Sequence, residues 1–396
     1  YFGGLADKIE GSVIPSDKPG IFNFTRYEPL GVIGMITAWN SPLLLLAWKL
    51  APALAAGNTA VIKPSEYTSA STLEFMELIE EAGFPTGVVN AITGFGPEVG
   101  APLVDHPEVD KVAFTGSDVS GQKIYEAAAK KIMPVTLELG GKSALLVFDD
   151  CDFDVAVQTA LDANFYTAGE VCSNATRVFV QRSIADKFIA AMVKKAEQMV
   201  VGDPMAGDVH MGALISAEHL SKVLDYVQIG IDEGAQIATG GMQIHPQGFE
   251  NGYFMTPTIM TNCHDSMRIT REEIFGPVMS VLVFDDEQDA IDRANSTEFG
   301  LGAGVMTTDL ARAHRVANAL ISGNVWVNSF NILPIANPVN ISEGAWYLVS
   351  LGKDIFQVAV ILSAPILLVI FSQPSQSSSD NPSSMLYMGY LIDNSS

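Results

Sequence analysis

The feature that most constrains the fold is an alternation, between residues 31 and 335, of short β-branched apolar runs with longer amphipathic stretches. Apolar runs of about five residues are typical of strands that are covered on both faces. The amphipathic stretches between them are typical of helices that cross over from one parallel strand to the next. The pattern therefore predicts an α/β protein with mainly parallel sheets.

The alternation also predicts individual elements. The helix predicted for residues 69–82, for example, ends at Gly83 and Pro85, residues that commonly terminate helices. We predict strands at 32–36, 59–63, 88–93, 111–115, 144–148, 177–180, 279–284 and 323–327. We predict further helices at 97–104, 119–130, 184–200 and 287–294.

Composition limits the class of protein and of partner. The chain has 396 residues, 48% of them hydrophobic, which is enough for two domains with a buried core. With a net charge of −23 and no cluster of Lys and Arg, we expect a small-molecule partner and no nucleic acid. Three cysteines at uneven spacing suit neither a disulfide framework nor a zinc site, so we expect a reducing compartment, the cytoplasm, and no metal.

Both ends of the chain depart from the central pattern. The sequence begins without Met inside an apparent helix, which favours an N-terminal truncation. Residues 12–28 alternate around a Pro-Gly turn, which predicts a β-hairpin that projects from the body and pairs with another chain. The composition changes from about residue 339, and the apolar run at 355–371 falls short of the ~20 residues of a membrane helix, contains Pro365 and lacks basic flanks. These features favour a divergent tail at 336–396 over a membrane anchor.

Two motifs at the ends of predicted strands could hold a dinucleotide. In V-A-F-T-G-S-D-V-S-G a strand runs through Gly116 into a helix at Gly121, and the amides at a helix N-terminus attract phosphate. In V-I-K-P-S-E, Lys63 and Glu66 stand where α/β sheets bind ligands and could hold ribose hydroxyls. Each motif alone is equally consistent with an ordinary loop. A carboxylate at Glu66 would repel a 2′-phosphate, which favours NAD over NADP.

Three polar groups in apolar surroundings are candidates for catalysis. Cys172, in A-G-E-V-C-S-N-A-T-R, is either a small buried hydrophobe or a nucleophile whose own backbone amide could stabilise an oxyanion. Glu138, in T-L-E-L-G-G-K-S, lies between two leucines, where desolvation would raise its pKa towards neutrality and suit a general base. Asn40, in T-A-W-N-S-P, is either a turn residue or a second oxyanion donor.

A fourth candidate is the segment E-E-I-F-G-P-V. If it is extended, Glu273 and Phe275 point the same way, because side chains two residues apart share a face of a strand. They would then offer a hydroxyl acceptor beside an aromatic ring, although the segment is also consistent with an ordinary strand entrance. We interpret the other two cysteines, Cys151 and Cys263, as buried fillers.

The order of these motifs resembles that of the NAD(P)-dependent aldehyde dehydrogenase superfamily. The chain contains, over about residues 1–335, W-N-S-P, K-P-S-E, F-T-G-S, L-E-L-G-G-K, G-E-V-C-S-N-A-T-R, E-E-I-F-G-P-V and G-N-V-W-V-N. The resemblance implies two Rossmann-like α/β domains, an NAD(P)-binding domain at 31–139 and a catalytic domain at 140–335. It also implies an oligomerisation hairpin within residues 1–30, and a homodimer or homotetramer as the intact form.

The resemblance further implies a role for each matching residue. Cys172 matches the nucleophile, Glu138 the general base, Asn40 the oxyanion amide, and Lys49 a lysine near the proton-exit route. The residues implied in cofactor binding are Lys63 and Glu66 at the adenosine ribose, Trp39 and Ser117 at the pyrophosphate, Glu273 at the nicotinamide ribose with Phe275 beside it, and Gly116, Gly121 and Leu139 next to these.

The implied reaction is the oxidation of an aldehyde to a carboxylate through a cysteine thiohemiacetal and a thioester. We expect NAD as the acceptor, with NADP as the alternative, and a small to medium aldehyde of an amino or semialdehyde type. Three departures bear on this expectation. Asp118 stands where many relatives have Thr, Ser41 replaces an aromatic residue that follows the oxyanion amide, and the P-F-G-G-x-K segment is missing after about Ala336.

Three other interpretations stay open from sequence alone. A coenzyme A-acylating relative would produce a thioester, but such relatives commonly lack the base that Glu138 matches. A catalytically impaired or structural relative would agree with the altered tail, but Cys172, Glu138 and Asn40 argue against lost chemistry. A membrane-tethered form would depend on the apolar run at 355–371.

Overall fold

A computed structural model describes residues 1–333, 366–372 and 388–391. The described chain divides into two compact units. Unit one contains residues 1–115 and 119–136 together with the two C-terminal strands, and unit two contains residues 116–118 and 137–333. Of the apolar run at 355–371, residues 355–365 lie outside the described part.

The strands and helices are numbered in chain order. The strands are β1 (Val13–Ile14), β2 (Ile21–Arg26), β3 (Val32–Ile36), β4 (Thr59–Lys63), β5 (Val89–Ala91), β6 (Lys111–Thr115), β7 (Val135–Glu138), β8 (Ala144–Val147), β9 (Arg177–Gln181), β10 (Gln236–Thr239), β11 (Gln243–Ile244), β12 (Phe254–Met255), β13 (Thr258–Thr261), β14 (Val278–Phe284), β15 (Gly302–Met306), β16 (Asn324–Val327), β17 (Ile366–Ser372) and β18 (Met388–Leu391). The α-helices are α1 (Pro42–Ala55), α2 (Ala70–Glu81), α3 (Ala101–Asp105), α4 (Asp118–Ala129), α5 (Phe153–Phe165), α6 (Ala185–Ala196), α7 (Ala217–Asp232), α8 (Arg268–Arg271), α9 (Glu287–Asn295) and α10 (Leu310–Ala319).

Unit one is built on a five-stranded sheet with the order β5-β4-β3-β6-β7. β3 pairs in parallel with β4 on one side and with β6 on the other, so that Ile36 lies opposite both Lys63 and Phe114. The chain runs from β3 to β4 and returns later to the opposite side of β3. The carboxyl end of β3 is therefore a topological switch point, the place where open α/β sheets bind ligands.

Unit two is built on a seven-stranded sheet with the order β10-β13-β14-β9-β8-β15-β16. The pairs are parallel except at one edge, where β10 runs antiparallel to β13. Both faces are covered: Leu145 and Val178 pack into a cluster with α5, α6 and α7, whereas Leu146 and Phe179 pack with α9 and α10. This double coverage explains why the strands read as continuous apolar runs.

Four helices of unit two begin at side-chain caps. Asp152, Ser216, Asp286 and Asp309 accept N–H groups from the first turns of α5, α7, α9 and α10. A capping oxygen satisfies a donor that has no partner within the helix, which is typically worth about 1 kcal/mol. These caps fix where each helix starts relative to the strand that precedes it.

The predicted hairpin is present in unit one. β1 and β2 are antiparallel, with Val13 opposite Phe24, and β17 pairs antiparallel with the other edge of β2. The end of the apolar run at 366–371 is thus strand in the described structure. Among the residues that the structure describes, no helix is long and apolar enough to cross a membrane. The α/β class is confirmed, and one local difference is a π-helical turn at Gly96–Gly100 within the helix predicted for 97–104.

Candidate active site

Three of the predicted reactive segments gather at one edge of the seven-stranded sheet. The Gly140–Gly141 pair precedes β8, Cys172 precedes β9 and Glu273 precedes β14. These three strands are neighbours and run parallel, so the segments that enter them meet at the same, amino edge. The fold of unit two therefore brings Cys172 and Glu273 together, although 101 positions of sequence separate them.

Two glycines allow this approach. The N–H of Gly141 donates to Oε1 of Glu273 at 2.9 Å. A Cβ atom added to Gly140 would lie 2.5 Å from Oε2 of Glu273, and one added to Gly141 would lie 2.4 Å from the carbonyl oxygen of Cys172. The neighbour of Gly141 is backbone, so close packing requires glycine there, whereas a side chain at position 140 would displace the carboxylate of Glu273. Nε of the buried Arg177 holds the next carbonyl, that of Lys142, at 2.8 Å.

The loop that carries the thiol has an unusual backbone. Thr167, Ala168 and Gly169 are all left-handed, with φ of 51°, 52° and 74°. A Cβ atom on Gly169 would lie 2.3 Å from the backbone of Gly276, so this loop packs closely on the segment that follows Glu273. Left-handed Thr and Ala cost on the order of 1–3 kcal/mol each, and such conformations cluster at functional sites.

The thiol of Cys172 is neutral at rest. Burial, together with the negative charges of Glu273 and Glu138, raises its pKa to about 12, and hydrogen bonds from the backbone N–H groups of Ser173 and Cys172 oppose this shift. A neutral thiol is a poor nucleophile, so the site needs a base that removes the proton as the thiol attacks.

Glu273 is the second titratable group of this edge. Burial raises its pKa to about 7, opposed by the Gly141 N–H and by the positive charges of Lys222 and Lys142. The segment is not extended, because Phe275 has φ of 62°. The offset of two therefore does not place Glu273 and Phe275 on one face, as an extended segment would. The carbonyl of Phe275 instead lies 2.6 Å from Nε2 of His219 on α7.

Glu138 is the last residue of β7, and Leu139 follows it directly; both are half-buried. Oε2 of Glu138 is shielded from solvent. The backbone carbonyl of Glu138 accepts the N–H of Gly116 at 3.0 Å, which ties the end of β7 to the turn after β6. The raised pKa that the sequence suggests for Glu138 stays a prediction.

Sequence reasoning missed Lys142, which follows the two glycines. Its side chain is 1% exposed, and within the described part of the chain Nζ has no hydrogen-bond partner. Burial and then the charge of Arg177 lower its pKa to about 7, against the opposing charge of Glu273. The motif L-E-L-G-G-K indicates its carboxylate as a candidate for catalysis. That its lysine is buried becomes visible only in the structure, where the neighbouring strands β8 and β9 are both buried.

The predicted cofactor residues of unit one follow β3 and β4. Lys63 is the last residue of β4, and its side chain is 3% exposed. Its Nζ donates to the carbonyl of Pro64 at 3.1 Å and lies 3.7 Å from Oε2 of the half-exposed Glu66. Trp39 and Asn40 follow β3 and are half-buried. Lys49 on α1 is 5% exposed and donates to Oγ1 of Thr115 at 2.5 Å.

A cofactor fits the carboxyl edge of this sheet. Lys63 supplies a buried cation at the end of β4, and the half-exposed Glu66 supplies a carboxylate for hydroxyl groups. β6 leads through Gly116 and the exposed Ser117 into the N-terminus of α4, where Gly121 is buried. A switch point, a helix N-terminus and a carboxylate one strand away are the parts that a dinucleotide requires. Asp118 in the first turn of α4 adds a negative charge to this set.

The chain matches a family model described as the aldehyde dehydrogenase family over residues 1–340. Among curated relatives, a betaine aldehyde dehydrogenase from Vibrio vulnificus is 47% identical over 354 residues, which are 89% of this chain and 72% of that protein. The human 4-trimethylaminobutyraldehyde dehydrogenase is 48% identical over 340 residues, covering 85% of this chain and 68% of that protein.

Solved structures agree with these relatives. The structure of betaine aldehyde dehydrogenase from Staphylococcus aureus in complex with NAD+ matches with a TM-score of 0.84 and 44% identity, covering 86% of this chain and 67% of that one. An NAD+ complex of an aldehyde dehydrogenase from Bacillus cereus matches with a TM-score of 0.83 and 44% identity, covering 86% of this chain and 68% of that one.

Proposed function

Since the chain belongs to the aldehyde dehydrogenase family, we propose that its NAD-dependent oxidation of an aldehyde to a carboxylate uses Cys172 as the nucleophile. The observation that carries this assignment is the amino edge of the seven-stranded sheet, where the thiol loop, Gly141 and Glu273 are in close contact. Family membership agrees with the resemblance in motif order. The roles of the individual residues are proposed from the resemblance in motifs, supported by the contacts that each residue makes within its own unit.

The first step is attack of the Cys172 sulfur on the aldehyde carbon. Because the thiol is neutral at rest, its proton must move to a base as the bond forms, and Glu138 is the carboxylate whose charge acts on the thiol besides Glu273. The negative oxygen of the thiohemiacetal needs donors, for which we propose the backbone N–H of Cys172 and the side-chain amide of Asn40.

The second step is hydrolysis of the thioester. Before this step Glu138 releases the proton that it took from Cys172. Its Oε2, which is shielded from bulk water, is then suited to take a proton from a single attacking water. Lys49, whose amine donates to Thr115, is proposed to pass both of these protons outward. The carboxylic acid freed from the thioester gives its own proton to the Cys172 thiolate and leaves as the carboxylate.

NAD, when bound, accepts the hydride of the thiohemiacetal. We propose that Lys63 and Glu66 hold its adenosine ribose, and that Glu273 accepts a hydroxyl of its nicotinamide ribose beside Phe275. The pyrophosphate contacts are assigned to Trp39, Ser117 and the N-terminus of α4, with Gly116, Gly121 and Leu139 shaping the approach. The carboxylate of Glu66 is the reason to prefer NAD to NADP.

We propose a trimethylammonium aldehyde as the substrate. Two similar proteins are named for such aldehydes, and a chain of net charge −23 attracts cations over a distance. A quaternary ammonium group binds to the face of an aromatic ring. Tyr166, six residues before the nucleophile and 67% exposed, offers such a ring on the thiol loop.

The decisive experiment measures NADH formation with betaine aldehyde, 4-trimethylaminobutyraldehyde and the neutral analogue 3,3-dimethylbutanal. We expect the two cations to be preferred over the neutral analogue and Cys172→Ala to abolish turnover. Tyr166→Ala should raise KM for the cations by about five- to tenfold, in line with about 1 kcal/mol of cation–π energy, and leave KM for the neutral aldehyde unchanged. Full turnover by Cys172→Ala would refute the assignment, and a thioester product with added coenzyme A would refute the hydrolytic step.

The setting of the enzyme is proposed from two further observations. The hairpin β1–β2 carries exposed apolar side chains, Val13 at 67% and Phe22 at 52%, which supports a homo-oligomer assembled through this hairpin. All three cysteines are free thiols, which supports a reducing compartment, the cytoplasm.

A further inference from the structure

Glu170 is a buried carboxyl group that the proposed reaction does not use. It lies two residues before Cys172, its side chain is 8% exposed, and Oε1 accepts the N–H of Ile215 at 3.0 Å. Its backbone N–H donates to the carbonyl of Thr167, one of the left-handed residues that precede it. Burial raises the pKa of Glu170 to about 8, so the group is mostly protonated at neutral pH.

His219 lies in the first turn of α7 and faces Glu170. Its side chain is 12% exposed, and Nε2 lies 2.6 Å from the carbonyl oxygen of Phe275 and 3.7 Å from Oε1 of Glu170. A carbonyl oxygen can only accept, so Nε2 carries the hydrogen. Burial lowers the pKa of His219, the hydrogen bond to the Phe275 carbonyl opposes this shift, and the charge of Lys222 adds a smaller lowering. A neutral imidazole therefore has one N–H on this side and two oxygen atoms that can accept it.

The carbonyl of Phe275 belongs to the segment that carries Glu273. This segment is held from two sides: a Cβ atom on Gly276 would lie 2.6 Å from Val223 of α7, and one on Gly169 would lie 2.3 Å from Gly276. The hydrogen bond from His219 acts on Phe275, the residue before Gly276. The backbone of Phe275 is left-handed, which is unfavourable for this residue type. Loss of that bond would let Phe275 relax towards a more common conformation and would displace Glu273.

We propose that Glu170 and His219 are positioning residues for hydride transfer: the N–H of His219 holds the Phe275 carbonyl, and Glu170 competes for that N–H once it ionises. The proposal rests on the placement of Glu273 and Phe275 at the nicotinamide ribose that the proposed function assigns. While Glu170 is protonated, His219 donates to Phe275. A carboxylate is a stronger acceptor than a carbonyl, so ionised Glu170 draws the N–H across the 3.7 Å gap.

This competition predicts that NAD binds more weakly as the pH rises through about 8, where Glu170 ionises. Other groups near the segment also titrate or carry charge. Glu273 and Lys142 have pKa values of about 7, and Lys222 acts on both His219 and Glu273. A comparison with Glu170→Gln separates their contributions, because glutamine keeps the shape and the acceptor for Ile215 but cannot ionise.

The experiment measures the dissociation constant of NAD by calorimetry between pH 6.5 and 9.5, with kcat and KM in parallel, on the full chain. Wild type should lose about fivefold in affinity across this range and Glu170→Gln less than twofold. At pH 7, His219→Ala should weaken NAD binding about tenfold, the equivalent of about 1.4 kcal/mol, and His219→Gln, whose amide can donate, should recover most of it. At pH 7, where Glu170 is mostly protonated, the rate of Cys172 alkylation by iodoacetamide should stay within twofold of wild type in Glu170→Gln.

Glu218→Gln is the matched control, since Glu218 is an exposed carboxylate in the same turn of α7. Equal NAD affinity of wild type and His219→Ala, or an equal pH slope in wild type and Glu170→Gln, overturns the proposal. If His219→Ala fails to fold, the comparison of wild type with Glu170→Gln decides. A wild-type chain that binds no NAD at any pH overturns the proposed function and this inference with it, whereas NAD binding that ignores residues 170 and 219 overturns the inference alone.

Discussion

At the scale of single residues, the amino edge of unit two holds, beside Cys172, three ionisable groups whose pKa values burial moves towards neutrality. Glu273 and Lys142 reach about 7 from opposite directions, and Glu170 reaches about 8. Desolvation is the largest cause for each group, so the same exclusion of water that isolates the thiol also sets the charges around it. The state of this edge therefore changes within the physiological range of pH.

Lys142 provides a test of this electrostatic account. Its pKa is about 7 in the folded chain and 10.5 in the unfolded one, so the unfolded chain binds more protons between these values and the free energy of unfolding falls as the pH drops from 10.5 to 7. Lys142→Met should remove this slope and stabilise the protein at pH 7 by on the order of 2–5 kcal/mol. Urea unfolding at pH 7 and pH 10 measures the free energy of unfolding of both proteins. The exposed Lys194→Met is the control, and a wild-type slope retained in Lys142→Met would contradict the prediction.

Asp118 is the residue that we expect to limit cofactor affinity. Its carboxylate stands in the first turn of α4, where the helix N-terminus would otherwise favour a phosphate, and its charge adds to the causes that raise the pKa of Glu273. Asp118→Asn should tighten NAD binding by about two- to fivefold, which corresponds to about 0.5–1 kcal/mol. Asp154→Asn, a change in the first turn of α5, should leave it unchanged. Calorimetric titration with NAD measures the affinity of both variants. An equal gain in affinity in Asp118→Asn and Asp154→Asn would argue against a local effect of Asp118.

At the scale of elements, the close approach of the turn before β8 is the property that holds the site together. A methyl group on Gly141 would meet the carbonyl oxygen of Cys172 at 2.4 Å, so Gly141→Ala must push the thiol loop away. A displacement of about 1 Å can cost a hundredfold in rate, so we expect kcat to fall by at least that factor. Gly207→Ala, where the added atom meets nothing within 4 Å, is the control for steady-state kinetics. Wild-type kcat in Gly141→Ala would show that the loop can yield.

Much of this architecture follows from local pattern. The predicted strands at 32–36, 59–63 and 111–115 coincide with β3, β4 and β6, because a buried parallel strand needs a continuous apolar run. Polar residues in apolar segments indicate Cys172 and Glu138, and the offset of two from Phe275 indicates Glu273. The contacts of His219 with Glu170 and Phe275 could not be predicted, since they join three distant segments through one imidazole. The left-handed backbone of Phe275 has no sequence signal either, because such conformations are rare for aromatic residues.

At the scale of the whole molecule, the hairpin tests the proposed assembly. Val13 and Phe22 expose apolar surface on β1 and β2 of the hairpin, and an oligomer would cover it. The double variant Val13→Asp, Phe22→Asp should lower the molar mass seen by light scattering, because carboxylates would be buried without partners. Met205→Asp, at a side chain 90% exposed in unit two, should not change the mass. An unchanged mass in both variants would place the interface elsewhere or leave the chain monomeric.

The two ends of the strands in the seven-stranded sheet carry different kinds of residue. Cys172 and Glu273 occupy segments that enter β9 and β14, whereas the segments that leave these strands carry Arg182 and Asp285, an ion pair exposed to solvent. A change in the length or charge of the turns that leave β9 and β14 should therefore let the reacting groups stay where the strand starts place them. For protein engineering, these two turns are the points at which a reporter or a regulatory domain can be attached.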